Sequence, residues 1–278
     1  MPRVVTLVGR CRTPLPVSMT DGVTSPLECG PAPSKLEIDH DGEVVAPDVQ
    51  LRLVRHATVL LETSVGRVLV DPMLRGAGTT PPVENTPNPV RNPLVELPVP
   101  AEEVVSAIDL CIITHLHSDH FDDAADALLP RDLPILTQPE SAEALRARGF
   151  TNVATSHAQI PMTRGHHGTG ETGAALGPVS GWVIDGVYVA GDTIWCDEVA
   201  AALAEHEPHT VVVNAGGARF LVGGPIVMDA ADVGRVREAT DARVVVVHLE
   251  AINHCIEPRS TYREIDGVVV PDDGETVA

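Results

Sequence analysis

The period of apolar and polar positions changes several times along this chain, and each change predicts an element. Residues 51–55 read LRLVR and residues 58–63 read TVLLET, with a third apolar run at 68–70 that stops at Asp71-Pro72. Short runs rich in β-branched and aliphatic residues predict adjacent strands. Valine runs at 211–213, 244–247 and 268–270 predict buried strands in the second half. Between them the spacing becomes helical at 101–107, 122–129, 139–148 (stopped by Gly149), 198–205 and 229–239, with further strands at 110–114, 210–213 and 243–247. Residues 179–184 and 187–190 flank Asp185-Gly186 and predict a hairpin.

Two stretches lack such a period. Residues 73–100 carry seven prolines, at 81, 82, 87, 89, 93, 98 and 100. Proline fixes φ and removes a backbone donor, so a long irregular loop is expected, and loops of that length are often functional. Residues 1–47 are rich in Pro, Gly and charge and are expected to form an N-terminal extension of unassigned role, ahead of a domain over 48–278. There is no internal repeat. Strands first, then mixed helices and strands, predict an α+β architecture of two sheets covered by helices.

Composition narrows the function. Only 3% of residues are aromatic, so the core must be built from Val, Leu, Ile and Ala. The formal net charge of −20 repels phosphate backbones and argues against general nucleic-acid binding, leaving a small-molecule substrate as the expected partner. Five cysteines (Cys11, Cys29, Cys111, Cys196 and Cys255) show no CxxC spacing, which predicts free thiols in a reducing compartment. Residues 1–10 have no long apolar core, and no apolar run approaches the roughly 20 residues needed to span a bilayer. A cytoplasmic protein without a membrane span is expected. Its oligomeric state is not written in the sequence.

The chemistry concentrates in Cys111-Ile-Ile-Thr-His115-Leu-His117-Ser-Asp119-His120, where three histidines and one aspartate fall within six residues just past a predicted buried strand. Neutral imidazole nitrogens and an anionic carboxylate suit Zn²⁺, Mn²⁺ or Fe²⁺. Three later positions repeat the theme of a ligand type at a strand end or in a tight loop. They are His166-His167-Gly168 in a glycine-rich loop, Gly191-Asp192-Thr193 after a short strand, and His248 at the end of a valine strand.

The order H-x-H-x-D-H, then His beside Gly, then G-D-T, then a strand-ending His resembles the metallo-β-lactamase superfamily from about residue 50 to the end. His56-Ala57-Thr58 and Leu69-Val70-Asp71-Pro72 resemble its branch of L-ascorbate-6-phosphate lactonase-like and N-acyl-phosphatidylethanolamine phospholipase D-like proteins. The resemblance implies a four-layer αββα sandwich with two divalent cations, zinc first and manganese or iron as alternatives. It places one cation on His115, His117 and His167 and the other on Asp119, His120 and His248, with Asp192 between them. Asp71 would orient a ligand imidazole from behind. His166 competes with His167 for one place, and His254 competes with His248 for another; the resemblance favours His167 and His248.

The implied activity is hydrolysis of a small-molecule lactone, ester, amide or phosphoester. A bound divalent cation lowers the pKa of its water from about 15.7 to about 7, giving hydroxide at neutral pH. Asp119 or Asp192 would orient that nucleophile, and His254 would donate a proton to the leaving group. The competing readings are an iron-dependent oxygenase or oxidoreductase on the same fold, and a non-catalytic metal-binding protein.

Overall fold

The structure, a computed structural model, describes residues 49–277 together with the backbone of β1 (Glu37–Ile38) and β2 (Val44–Val45), which pair antiparallel. The expected extension over 1–47 otherwise lies outside the described residues, as do Cys11 and Cys29.

The first sheet contains β3 (Gln50–Arg55), β4 (Thr58–Thr63), β5 (Gly66–Val70), β6 (Leu110–Ile113), β7 (Ile135–Thr137), β8 (Val153–Ala154) and β15 (Thr276–Val277). Their order is β15-β3-β4-β5-β6-β7-β8, antiparallel as far as β5 and parallel from there. The second sheet contains β9 (Met162–Gly165), β10 (Val179–Ile184), β11 (Val187–Val189), β12 (Thr210–Asn214), β13 (Arg243–Val247) and β14 (Val268–Val269). Its order is β14-β13-β12-β11-β10-β9, with the hairpin and β9 antiparallel and the rest parallel.

Alternation along the strands builds the layers. Val212 of β12 and Val245 and Val247 of β13 meet Leu51, Val59, Leu110 and Ile112 of the other sheet around Trp182. Val211, Val213, Val244 and Val246 face outward onto α5 (Asp197–His206), α6 (Ala230–Ala239) and α7 (Arg259–Arg263), through Val199, Val233 and Tyr262. Cys111 and Ile113 of β6 face the opposite way, onto α1 (Ala101–Val104), α2 (Asp123–Leu128) and α3 (Pro139–Ala147), through Val104, Ala125 and Leu145. Strands covered on both faces need unbroken apolar runs, which is why valine follows valine here. The result is helices, sheet, sheet, helices.

Several elements depart from the expected pattern. The helix expected over 101–107 stops at Val104, and Ala107 takes a left-handed φ of 55°. The run at 268–270 yields a two-residue edge strand that is only half-buried. The glycine-rich loop around 163–168 begins as strand β9, and α4 (Gly170–Leu176) follows it with no buried residue. Without a buried stripe, α4 has no periodicity for the sequence to display.

Residues 73–100 form the expected irregular loop, tied down at two buried points. The Arg55 guanidinium donates to the carbonyls of Val95, Met73 and Arg75 at 2.8–2.9 Å. The Asn253 amide accepts from Val83 N and Asn92 Nδ2 and donates to Val83 O, Thr86 Oγ1 and Asn88 O. Among the described residues no helix is long and apolar enough to cross a membrane.

Candidate metal centre

Strand direction gathers the functional side chains. β3, β5 and β6 run one way in the first sheet, and β9, β11, β12 and β13 share a direction in the second. Beyond the C-terminal ends of these strands come His56, Asp71, His115, His167, Asp192 and His248, with Asn214 closing β12. After β6 the chain turns tightly, with His120 N and Phe121 N both donating to His117 O at 2.9 Å. That turn brings His115, His117, Asp119 and His120 to one edge. Asp122 caps the following helix, accepting from Ala125 N at 2.8 Å.

Two groups of ligand atoms result. His117 Nδ1 lies 2.9 Å from His115 Nε2 and 3.2 Å from His167 Nε2. Asp119 Oδ2 lies 3.2 Å from His56 Nε2, 3.6 Å from His248 Nε2 and 3.8 Å from His120 Nε2. Asp192 reaches both groups. Its Oδ2 is 3.1 Å from His120 Nε2 and 3.7 Å from His167 Nε2, and its Oδ1 is 3.4 Å from His248 Nε2.

Hydrogen bonds from behind fix how the rings point. His120 Nδ1 meets Asp71 Oδ2 at 2.8 Å, His167 Nδ1 meets Ile226 O at 2.7 Å, and His248 Nδ1 meets Ala215 O at 3.1 Å. A backbone carbonyl or carboxylate there requires a proton on Nδ1, so each Nε2 can face the cluster with a lone pair. Asp71 is itself held, accepting from Thr114 N and Thr114 Oγ1 at 2.8 and 2.7 Å. Asn214 Nδ2 donates to Asp192 Oδ1 at 2.7 Å.

The donor set fits divalent cations. The Nε2 atoms of His120 and His248 are buried and face the carboxylate oxygens of Asp119 and Asp192, at 3.1–3.8 Å, a meeting of N and O ligands that a shared cation would satisfy. The ring nitrogens of His115, His117 and His167 converge within 2.9–3.2 Å of His117 Nδ1, a grouping of imidazoles that suits a cation. His115, His117 and His167 could hold one ion; His56, Asp119, His120 and His248 could hold another.

The electrostatics point the same way. Burial alone would raise the carboxyls of Asp119 and Asp192, yet the facing imidazoles hold both well below the usual carboxylate range. Burial alone would lower His120 and His248, yet Asp192 and its neighbours hold both well above the ordinary histidine range. His115, His56 and His167 are lowered, chiefly by burial. Protons on His120 and His248 therefore balance two buried carboxylates in the metal-free chain, and a cation would displace them.

His254 stands beside the cluster, its ring centroid 6.4 Å from that of His248, and burial pulls its pKa down to about 4. His166 turns away, half-exposed, to Glu198 Oε1 at 2.9 Å. The residue missed by sequence reasoning is His56. It is fully buried, takes a left-handed φ of 58°, and packs its ring 3.7 Å from that of His248. Its signal was available: a histidine ending a strand, the same criterion that singled out His248.

A cavity of about 580 Å³ opens at Asp119 and Ser118, between the proline-rich loop and the start of α2. Met73, Pro81, Val83, Leu116, Phe121 and Ile252 give it a mainly apolar wall.

Comparison with known proteins agrees with this arrangement. The profile of the Beta-lactamase superfamily domain matches residues 50–248. The UPF0173 protein YddR of Bacillus subtilis (strain 168) is 35% identical over 249 residues, covering 80% of this chain and 97% of its own. A crystal structure of isothiocyanate hydrolase from Delia radicum gut bacteria superposes with a TM-score of 0.76 at 33% identity, covering 82% of this chain and 98% of that one. A possible metal-dependent hydrolase from Veillonella parvula DSM 2008 superposes with a TM-score of 0.77 at 31% identity and the same coverage. The two helix-covered sheets are the metallo-β-lactamase fold, and the chain belongs to the β-lactamase superfamily, among its UPF0173 relatives, as a metal-dependent hydrolase.

Proposed function

We propose that the chain is a dinuclear hydrolase of a small electrophilic molecule: a lactone, ester, amide or phosphoester, or an isothiocyanate like that named for the Delia radicum gut-bacterial protein. The observation that carries this reading is Asp192, whose two carboxylate oxygens face imidazoles of both ligand groups. His115, His117 and His167 hold the first cation, and Asp119, His120 and His248 hold the second. Zinc suits this N/O set best, with manganese or iron as alternatives. The bound cations supply Lewis acidity and activate water at neutral pH.

The protein side chains do the rest. Asp71 holds His120 in the tautomer that leaves Nε2 free. Asp119, which lines the cavity, or Asp192 would orient the attacking water. His254, kept neutral by burial, carries no imidazolium proton to give up at neutral pH, so in place of the expected proton donation it would offer the leaving group only a ring N–H hydrogen bond. The apolar wall of the cavity and the net charge of −20 support a small substrate with little negative charge and argue against a nucleic acid. The free thiols of Cys111, Cys196 and Cys255 support a reducing, cytoplasmic setting.

The test is elemental analysis and turnover on an ester, lactone, phosphoester and isothiocyanate panel for the wild type, His117→Ala and Asp192→Ala. At least two ions per chain in the wild type, with loss of metal and turnover in both variants, is expected. Full metal content and turnover in either variant would overturn the assignment, and iron with oxygen consumption would replace hydrolysis by redox chemistry.

A further inference from the structure

His166, the histidine that the centre leaves out, is part of a second ligand cluster. Its imidazole, the Cys196 thiol and the Glu198 carboxylate present ligand atoms that all lie within 4.8 Å of one another. We propose that these three side chains form a separate site for one thiophilic divalent cation, such as zinc.

The local fold pre-arranges the three. Cys196 is the N-cap residue of α5 and Glu198 lies in its first turn, so both side chains leave the same helix end. His166 follows directly on β9, against which α5 packs. Both sides of its peptide are pinned to the segment leading into α5: His166 N donates to Thr193 Oγ1 at 2.8 Å, and Ile194 N donates to His166 O at 2.9 Å. Gly165 makes that approach possible, since a Cβ there would fall 2.6 Å from the Thr193 side chain. His166 Nε2 already stands 2.9 Å from Glu198 Oε1.

The chemistry of the set is specific. One imidazole, one thiolate and one carboxylate give N, S and O ligands with two negative charges, which neutralise a divalent cation. On binding, the Cys196 S–H bond breaks, its proton passes to solvent, and the sulfur electron pair forms the bond to the cation, so one proton leaves per ion. A surface His–Glu ion pair accounts for two of the three groups, and the Cys196 thiol, 3.6 Å from Thr193 Oγ1, adds a third ligand type beside them. A fourth ligand would come from solvent, since the His166 and Glu198 side chains are 52% and 42% exposed. A glycine-lined hollow of about 340 Å³ beside His166 leaves room there for water or a small ligand. A single peptide bond joins His166 to His167, so a cation at this site would steady the backbone that carries a residue of the main centre.

The experiment is a Co²⁺ titration of the zinc-loaded full chain, desalted to remove loosely held ions, read by near-ultraviolet thiolate-to-cobalt absorbance and by cobalt content. The wild type should gain the thiolate band with one further equivalent of metal. Cys196→Ser should lose the band, and Glu198→Gln should weaken cobalt binding about tenfold or more. Cys255→Ala, which removes the thiol 3.5 Å from His248, should keep the band. A band of equal size in Cys196→Ser, or equal cobalt content in all variants, would overturn the proposal. The readout does not depend on turnover, so it stands or falls separately from the hydrolase reading.

Discussion

Asp71 offers the most direct test of how the centre is held, because it touches no substrate cavity and acts through three hydrogen bonds. It is 1% exposed and accepts from Thr114 N, Thr114 Oγ1 and His120 Nδ1. In Asp71→Ala the Thr114 hydroxyl can still turn to His115 Nδ1, 3.1 Å away, but Thr114 N and His120 Nδ1 lose their acceptor. Each buried donor left unpaired costs about 1–3 kcal/mol, so the variant should lose about 2–6 kcal/mol. Its left-handed φ of 44° adds strain for alanine, whereas asparagine tolerates that region. Asp71→Asn keeps the volume and one carbonyl for Thr114 N, so it should lose only about 1–3 kcal/mol. With His120 no longer anchored, zinc affinity should fall about 10–100-fold in both. Urea denaturation of the metal-free chain measures the first effect, and competition with a chromophoric chelator measures the second. An Asp71→Asn protein with wild-type stability and zinc affinity within about twofold would refute the idea that this carboxylate orients the ring.

Other expectations follow from the same geometry. Burial alone would lower His120 and His248, but the facing carboxylates raise both above 6.5, so their contribution is present below pH 6.5 and lost as pH rises through the folded values. Burial lowers His56, His115, His167 and His254, so theirs is present above pH 6.5 and lost as pH falls. The metal-free chain should therefore be most stable near pH 6.5, with slopes of up to about 1.4 kcal/mol per pH unit for each group; a melting temperature that varies in one direction from pH 5 to 8 would contradict this. Gly191, at φ 71°, precedes Asp192, and a Cβ there would lie 2.5 Å from Ser180 O. Gly191→Ala should cost about 1–3 kcal/mol and weaken metal binding, and an unchanged thermal melt would count against it. Asn253→Ala should release the proline-rich loop, raising KM more than kcat and opening residues 80–93 to limited proteolysis; wild-type digestion kinetics would show that the loop is held by something else.

Much of the frame was legible because burial on both faces demands a pattern. The valine runs of β12 and β13, the hairpin across Asp185-Gly186 and the apolar strand before His115 all announce themselves in this way. What escaped is structure with little burial to advertise it. No α4 residue is buried, β8 is two half-buried residues, and β9 reads as a glycine-rich loop because a strand at the sheet edge needs few apolar positions. The cluster at 115–120 was visible as a motif and the resemblance favoured His167 over His166, whereas the physical reason lies in the coordinates: adjacent residues point oppositely, one buried beside His117 and one half-exposed at Glu198. His56 was overlooked because a single histidine between two strands also reads as an ordinary turn residue.

The corners that end the strands explain why so many ligand types meet at one edge. His56, Asp71, Gly191 and His248 all take left-handed φ values, of 58°, 44°, 71° and 67°. Each follows one of the strands that share a direction within its sheet, so the chain bends sharply there and aims that residue or the next one at a common point. For the three that are not glycine, this conformation costs roughly 1–2 kcal/mol apiece. Specific contacts offset it: His248 N donates to His56 O at 2.8 Å, and Asp71 accepts three hydrogen bonds. The first of these contacts joins corners from different sheets, β3 in one and β13 in the other. The centre therefore also clasps the two halves of the sandwich, and losing its charge balance should loosen the sheet-to-sheet contact as well as the site. Hydrogen exchange in the metal-free chain should accordingly quicken at the His248 and Thr114 amides, beyond the general rise with pH, as the pH climbs through the raised folded values of His120 and His248, where they lose the protons that balance Asp119 and Asp192. Protection across that edge that stays uniform while those protons are lost would separate the metal centre from the cohesion of the fold.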